Sequence, residues 1–125
     1  MEQTAKLDLT NLLKAQAMFE RFRQDMKDDR DQVGAVHAFK VCYESSWKIM
    51  KRFLAVNGVE SSSPKDIFRR AALAQLIDDP EVWFDFLAKR NLTAYTYEQE
   101  NVDAIVAVFD QFSAELDKMI QRIKE

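Results

Sequence analysis

Val36-His37-Ala38-Phe39-Lys40-Val41-Cys42-Tyr43-Glu44-Ser45-Ser46-Trp47-Lys48-Ile49-Met50-Lys51-Arg52-Phe53-Leu54 is the stretch whose reading decides the fold. At roughly 100° per residue, Val36, Phe39, Tyr43, Trp47, Met50 and Leu54 share one face of a helix. Ala38, Cys42, Ile49 and Phe53 widen the apolar arc to about half the circumference. An arc that wide needs partners on several sides, so this helix belongs at the centre of a bundle. The remaining strip holds His37, Lys40, Glu44, Lys48, Lys51 and Arg52. It reads either as a solvated face or as a docking strip for phosphates or an acidic partner. The helix is expected from about Gln32 to Val56, stopped by Asn57-Gly58, where glycine supplies the left-handed cap.

Working outward, residues 1–7 read as a lead without helical period. From Asp8 a first helix begins, with Leu12, Ala15, Phe19, Phe22 and Met26 spaced by three and four. Lys27-Asp28-Asp29-Arg30-Asp31 is a solvated turn, with Asp31 or a nearby Asp as the next N-cap. On the other side, Ser63-Pro64 reads as cap and first helical residue, with Asp66 folding back as in a capping box. That helix carries Ile67, Phe68, Ala71, Leu73 and Ala74 and is expected to reach about Leu76. Asp79-Pro80 repeats the grammar and opens a fourth helix with Val82, Trp83, Phe86 and Leu87 on its apolar face, ending at Lys89-Arg90. Val102, Ile105, Phe109, Phe112, Leu116, Met119 and Ile123 then form one long stripe running nearly to Glu125. The pattern predicts a single domain over residues 1–125. Its fold class is all-α, an antiparallel up-and-down four-helix-type bundle with about five helices, three long and two short.

Between the fourth helix and the last lies Arg90-Asn91-Leu92-Thr93-Ala94-Tyr95-Thr96-Tyr97. It packs a cation, an amide, hydroxyls and two phenols into a connection without Gly or Pro, the residues a simple turn would use. Asn91 can end a helix in the left-handed conformation, and Thr96 with Gln99 has capping-box spacing. Those structural duties do not account for Arg90, Tyr95 and Tyr97. Arginine holds phosphate with a charged planar fork, which makes Arg90 the leading candidate for a functional cation.

Composition narrows the chemistry. Two Gly and two Pro in 125 residues argue against an all-β fold. A net charge of −3 and a pI near 5.3 give no bulk attraction for nucleic acid, although a local basic stripe is compatible with them. The single Cys42 forbids an internal disulfide and suits a reducing compartment. No apolar h-region opens the chain, and no apolar run approaches the roughly 18 residues of a membrane span. A cytoplasmic protein without a membrane segment is expected. One histidine, no Glu-x-x-His pair and no Gly-rich phosphate loop leave no metal site and no cofactor to expect. His37 and Cys42 lie about 140° apart on one helix and make no nucleophilic dyad. His37 is read as a surface residue and Cys42 as a buried small hydrophobe.

Four segments in order resemble a known family. Phe39-Lys40-Val41-Cys42-Tyr43-Glu44-Ser45-Ser46-Trp47-Lys48, Ser63-Pro64-Lys65-Asp66-Ile67-Phe68-Arg69-Arg70-Ala71, and Leu76-Ile77-Asp78-Asp79 with Trp83 precede the Arg90–Tyr97 stretch. Together they resemble the HEPN-type nucleotidyltransferase substrate-binding proteins, which pair with minimal nucleotidyltransferases. The resemblance implies a partner enzyme from an adjacent gene, a toxin–antitoxin setting and a homodimer whose two subunits build the site. Tyr95 and Phe84 are the candidate interface aromatics. It also implies metal-independent cleavage of RNA by arginine and histidine. Here Tyr95 stands where the family usually has histidine. Tyrosine, with an ordinary pKa of about 10, is a poor proton carrier at neutral pH. Arg90 and Tyr95 are the candidate catalytic pair, and Asn91, Thr93 and Lys48 the candidate binding residues. In similar proteins the tyrosine corresponding to Tyr97 accepts AMP from the partner. Tyr97 is expected in the first turn of the last helix, just after Thr96, where free amides favour an incoming phosphate. The leading expectation is therefore a binding subunit and AMP acceptor. The alternatives are an endoribonuclease weakened by Tyr95 and a purely structural helical module.

Overall fold

The second helix, α2 (Asp29–Val56), is the axis on which the other elements pack. The structure, a computed structural model, describes residues 7–125. Around α2 lie α1 (Thr10–Arg23), α3 (Pro64–Leu73), α4 (Pro80–Leu92) with a 3-10 turn at Thr93–Tyr95, α5 (Gln99–Val106) and α6 (Phe109–Lys124). No strand occurs among the described residues. The expected lead over residues 1–7 falls, apart from Leu7, outside the described residues.

The wide arc of α2 behaves as its sequence requires. Val36, Phe39, Cys42, Tyr43, Met50 and Leu54 are buried, and α2 touches every other helix. Trp47 and Phe53 are half-buried at the edge of the arc. At the centre, the Phe112 ring meets Phe39 at 4.9 Å, Phe86 at 5.2 Å, Phe19 at 5.4 Å and Trp83 at 5.9 Å. Helices α1, α2, α4 and α6 thus each contribute a ring to one cluster. Such edge-to-face contacts add to the gain from burying the apolar area itself. Cys42 is buried, and that burial pushes its thiol up to about 12. His37 is exposed.

Helix ends follow cap chemistry, with two adjustments. Asp28, not Asp31, caps α2, accepting from the Asp31 N–H at 2.9 Å. Asp31 in return accepts from the Lys27 N–H at 3.0 Å. Ser63 caps α3 through the Asp66 N–H, and Asp66 reaches back to the Ser62 N–H at 3.0 Å. In both cases the acid serves the residue before the cap. The side chain of Asp is shorter than the Glu or Gln of the usual capping box. Gly58, at φ +80°, ends α2 with Val59 N–H donating to Leu54 O at 2.8 Å.

The end of α3 departs from the expected one. The helix stops at Leu73 because Gln75 takes φ +64°. Gln75 N–H then donates to Ala72 O, and Leu76 N–H to Ala71 O, which is the pairing of a left-handed helix stop. Leu76 is buried behind it. The last helix is also not continuous. At Val108 the backbone tightens, donating to Ile105 O at 3.1 Å, and α6 restarts with Phe112 N–H on Val108 O. The five-helix plan stands, with its last helix in two segments. The stripe from Val102 to Ile123 is buried through both of them. α6 is tied to α1 by Arg23–Asp110 at 2.6 Å, Gln16–Asp117 at 2.7 Å and the Ser113 hydroxyl on Glu20.

Candidate functional site

Arg90 is carried to its place by the apolar stripe of α4. Trp83 and Phe86 face the core, and Arg90 follows at i+7 and i+4 on the same side of the helix. One residue of that face is therefore a cation, and it meets α2 at Glu44. The Arg90 Nε–Glu44 Oε1 distance is 2.7 Å, and the other Glu44 oxygen accepts from the Trp47 indole at 3.1 Å. Among the described residues this pair engages Nε alone, so both terminal guanidinium nitrogens keep their donors for a ligand. The Arg90 side chain is 34% exposed, enough for a ligand to reach it. Behind the pair lies the buried Tyr43 phenol, which has no hydrogen-bond partner among the described residues. Burial first, and then the Glu44 charge, push its pKa upward against the opposing pull of Arg90.

The eight-residue stretch after Lys89 is not the loose break its polarity suggests. α4 continues through Arg90, Asn91 and Leu92, and the Thr93 hydroxyl closes it by donating to Arg90 O at 2.6 Å. Asn91 is exposed in the last helical turn and does not take the left-handed cap, because the chain runs on into the 3-10 turn Thr93–Tyr95. Thr96 is likewise not a cap. It has helical backbone angles, and α5 begins at Gln99 after Glu98, with no side-chain cap bond. Gln99 instead bonds Gln32 and Asp103, pinning the start of α5 to the start of α2. Tyr97 consequently lies two residues before α5 and not in its first turn. Free helix amides do not favour a phosphate on Tyr97, since Glu98 and Glu100 flank that end of α5.

What the segment does present is two phenols. Tyr95 is 50% exposed and Tyr97 77% exposed, with the rings edge to face at 6.1 Å. The Tyr95 carbonyl is held by the Asn101 amide at 3.2 Å, which fixes the turn. Arg90, Asn91, Thr93, Tyr95 and Tyr97 thus lie on one short path from the end of α4. Lys48 is not held by that cluster. Its Nζ sits 6.0 Å from the Trp47 ring, and it lines a cavity with Asp8, Asn11, Ser45, Ile49 and Arg52 on the α1 side. Phe84, a candidate interface aromatic, is half-buried against Phe68, with Lys65 and Arg69 over its ring at 5.6 and 5.1 Å.

Sequence reasoning passed over Glu44 as a site residue. Its signal was present: it is the one acid in the strip His37, Lys40, Glu44, Lys48, Lys51, Arg52. An acid retained among cations calls for a partner, and the partner is Arg90. Among the described residues no cluster of His, Cys, Asp and Glu could hold a metal ion, and no helix is long and apolar enough to cross a membrane.

The fold and this cluster define an all-α bundle that gathers its polar side chains where the fourth helix ends against the second. The chain belongs to the family described as nucleotidyltransferase substrate binding protein like, whose model matches residues 7–125. It is similar to a Haemophilus influenzae protein named Probable ribonuclease HepT, with 33% identity over 97 residues. That alignment covers 74% of this chain and 66% of that protein's length. A solved Haemophilus influenzae structure, which reveals the fold of a substrate binding domain of a nucleotidyltransferase, superposes with a TM-score of 0.86 at 28% identity. The match covers 94% of this chain and all of the other (100%). A solved Thermus thermophilus protein shares the fold at a TM-score of 0.85 and 22% identity, over 91% of this chain and 99% of its own.

Proposed function

We propose that this protein is the binding subunit of a minimal nucleotidyltransferase encoded by an adjacent gene, one half of a toxin–antitoxin pair, and that Tyr97 accepts AMP from that partner. The observation that carries the reading is the presentation of Tyr97. Its phenol is the more exposed of the pair on a turn fixed by Asn101, one short segment beyond Arg90. In the transfer, the Tyr97 oxygen attacks the α-phosphorus of ATP, a P–O bond forms, pyrophosphate leaves and the phenolic proton passes to a base of the partner. Arg90 keeps terminal donors for the phosphate so placed. The adduct adds bulk and negative charge beside Arg90. Family membership and the fold of the substrate-binding relative support the pairing. Co-expression with the neighbouring gene product tests it. The two proteins co-purify on this reading, and separation at low salt with both folded would overturn it.

A second reading has its own support, in the ribonuclease name of the Haemophilus influenzae relative and in Arg90. Cleavage by this chain would need a proton carrier near neutral pH, and the histidine position holds a phenol, Tyr95, in place of an imidazole. Cleavage is accordingly weak or absent, in a cytoplasmic homodimer that meets RNA at the Arg90 surface. Tyr95→His is expected to raise metal-independent RNA digestion at least about tenfold, since a positioned acid–base group contributes roughly 100-fold or more. Vigorous digestion by the wild type, unchanged in Tyr95→Phe, would contradict this account of Tyr95.

A further inference from the structure

We infer a second anion site at the junction of α1 and α2, built from Asn11, Ser45, Lys48 and Arg52, that takes a phosphoryl group. The inference does not depend on AMP transfer to Tyr97. Ser45, Lys48 and Arg52 fall at i, i+3 and i+7 on α2, so they share a face. With Asn11 of α1, Asp8 and Ile49 they line a cavity of about 260 Å³. At roughly 30 Å³ per water, that space admits a phosphoryl group with part of the molecule that bears it.

The charges in this cavity are unbalanced. Several cations elsewhere in the fold are matched by acids: Arg23 with Glu20 and Asp110, Arg70 with Asp66, Lys89 with Asp85, Arg90 with Glu44, and Lys118 and Arg122 with Asp78. Among the described residues Lys48 and Arg52 have no ion pair, and as like charges at i, i+4 they repel each other. The helix dipole does not account for them, because the last turn of α2 contains no base and the dipole's effect fades within that turn. Among the described residues the one acid lining the cavity, Asp8, is engaged by the Thr10 N–H at 2.9 Å. Its hydrogen bonds with Thr10 hold the carboxyl below the usual carboxylate range, with Arg52 contributing least. Two cations against one committed acid leave net positive charge in the cavity.

Donor chemistry selects the ligand. Residues bearing an ammonium, a guanidinium, a primary amide and a hydroxyl line one space. That is more donor capacity than a carboxylate can use, and it suits the three terminal oxygens of a phosphoryl group. Trp47 lies between this cavity and Arg90. The route runs from Arg90 to Glu44, through the Trp47 indole, to Lys48 at 6.0 Å from that ring. The phosphoryl group can belong to a mononucleotide or to a polynucleotide backbone, and the test separates the two.

The chain has two tryptophans, so a ¹H–¹⁵N spectrum carries two indole signals. Trp47 adjoins the site and Trp83 is buried in the core. The probes are inorganic phosphate, ATP and a short oligoribonucleotide, each against chloride at matched ionic strength. The Trp47 signal is expected to shift saturably while Trp83 stays fixed, and Lys48→Gln with Arg52→Gln should weaken binding about tenfold or more. The pair Lys65→Gln with Arg69→Gln should leave it within about twofold, since neither residue lines the cavity. Saturation by ATP alone assigns a mononucleotide, and saturation by the oligonucleotide alone assigns a backbone. No saturable shift, or equal weakening by the Lys65 and Arg69 changes, would overturn the site as diffuse surface charge.

Discussion

The aromatic cluster on α2 and the Arg90–Tyr97 segment are each dense in large side chains, yet they are held by different means. In the cluster, Phe19, Phe39, Phe86 and Phe112 are fully enclosed, and each ring is fixed by its neighbours. In the segment, one ion pair, one hydroxyl and one amide fix the backbone, while two phenols stand in solvent. Burial sets conformation in the first region. In the second, a few polar bonds set the backbone and leave the side chains available. That contrast is what a binding surface on a rigid scaffold requires.

The largest effect should come from breaking the first region. Phe112→Ala removes a ring that four others contact and should cost about 3–5 kcal/mol, measured by urea unfolding. Tyr97→Phe should stay within about 0.5 kcal/mol of wild type. Equal losses at the two positions would erase the distinction.

Cys42 tests the enclosure of the same core by pH. Its thiol is raised by burial to about 12, above the ordinary value of 9.0. The group is neutral in both states below pH 9, so its favourable burial is intact there. Between about pH 9 and 12 the unfolded chain ionises first, and stability falls by up to about 4 kcal/mol. Cys42→Ser would be expected to flatten that alkaline limb. An unchanged limb would place the loss in other groups. A smaller effect concerns the turn after α3. Gln75 holds φ +64° without glycine, so Gln75→Gly should gain up to about 1 kcal/mol, read as a raised urea midpoint.

The contrast also explains what could be read from the sequence. The stripes of α2 and of the last helix reveal their buried faces because burial repeats with the helical period. The Ser63-Pro64 and Asp79-Pro80 starts were legible because each has a local chemical cause. Gln75 was not, since a left-handed stop without Gly or Asn leaves no mark in composition. Asn91, Thr96 and Gln99 misled for the opposite reason. Their residue types permit caps, but Thr93 closes α4 and Gln32 captures Gln99. The Arg90–Glu44 pair spans 46 residues of sequence, and only the packing of α4 on α2 brings it together. Lys48 resembled a member of the Arg90 cluster by type, whereas its helical angle turns it toward α1 and Arg52.

The central claim is that the solvated half of this contrast exists to be modified. The direct measurement is peptide mass spectrometry after incubation with the adjacent nucleotidyltransferase, ATP and magnesium. The account predicts an AMP adduct on Tyr97 that is lost in Tyr97→Phe and kept in Tyr95→Phe, since Tyr97 is 77% exposed and Tyr95 is 50% exposed. A stable complex with an active partner that leaves both tyrosines unmodified, or an adduct confined to Tyr95, would contradict it.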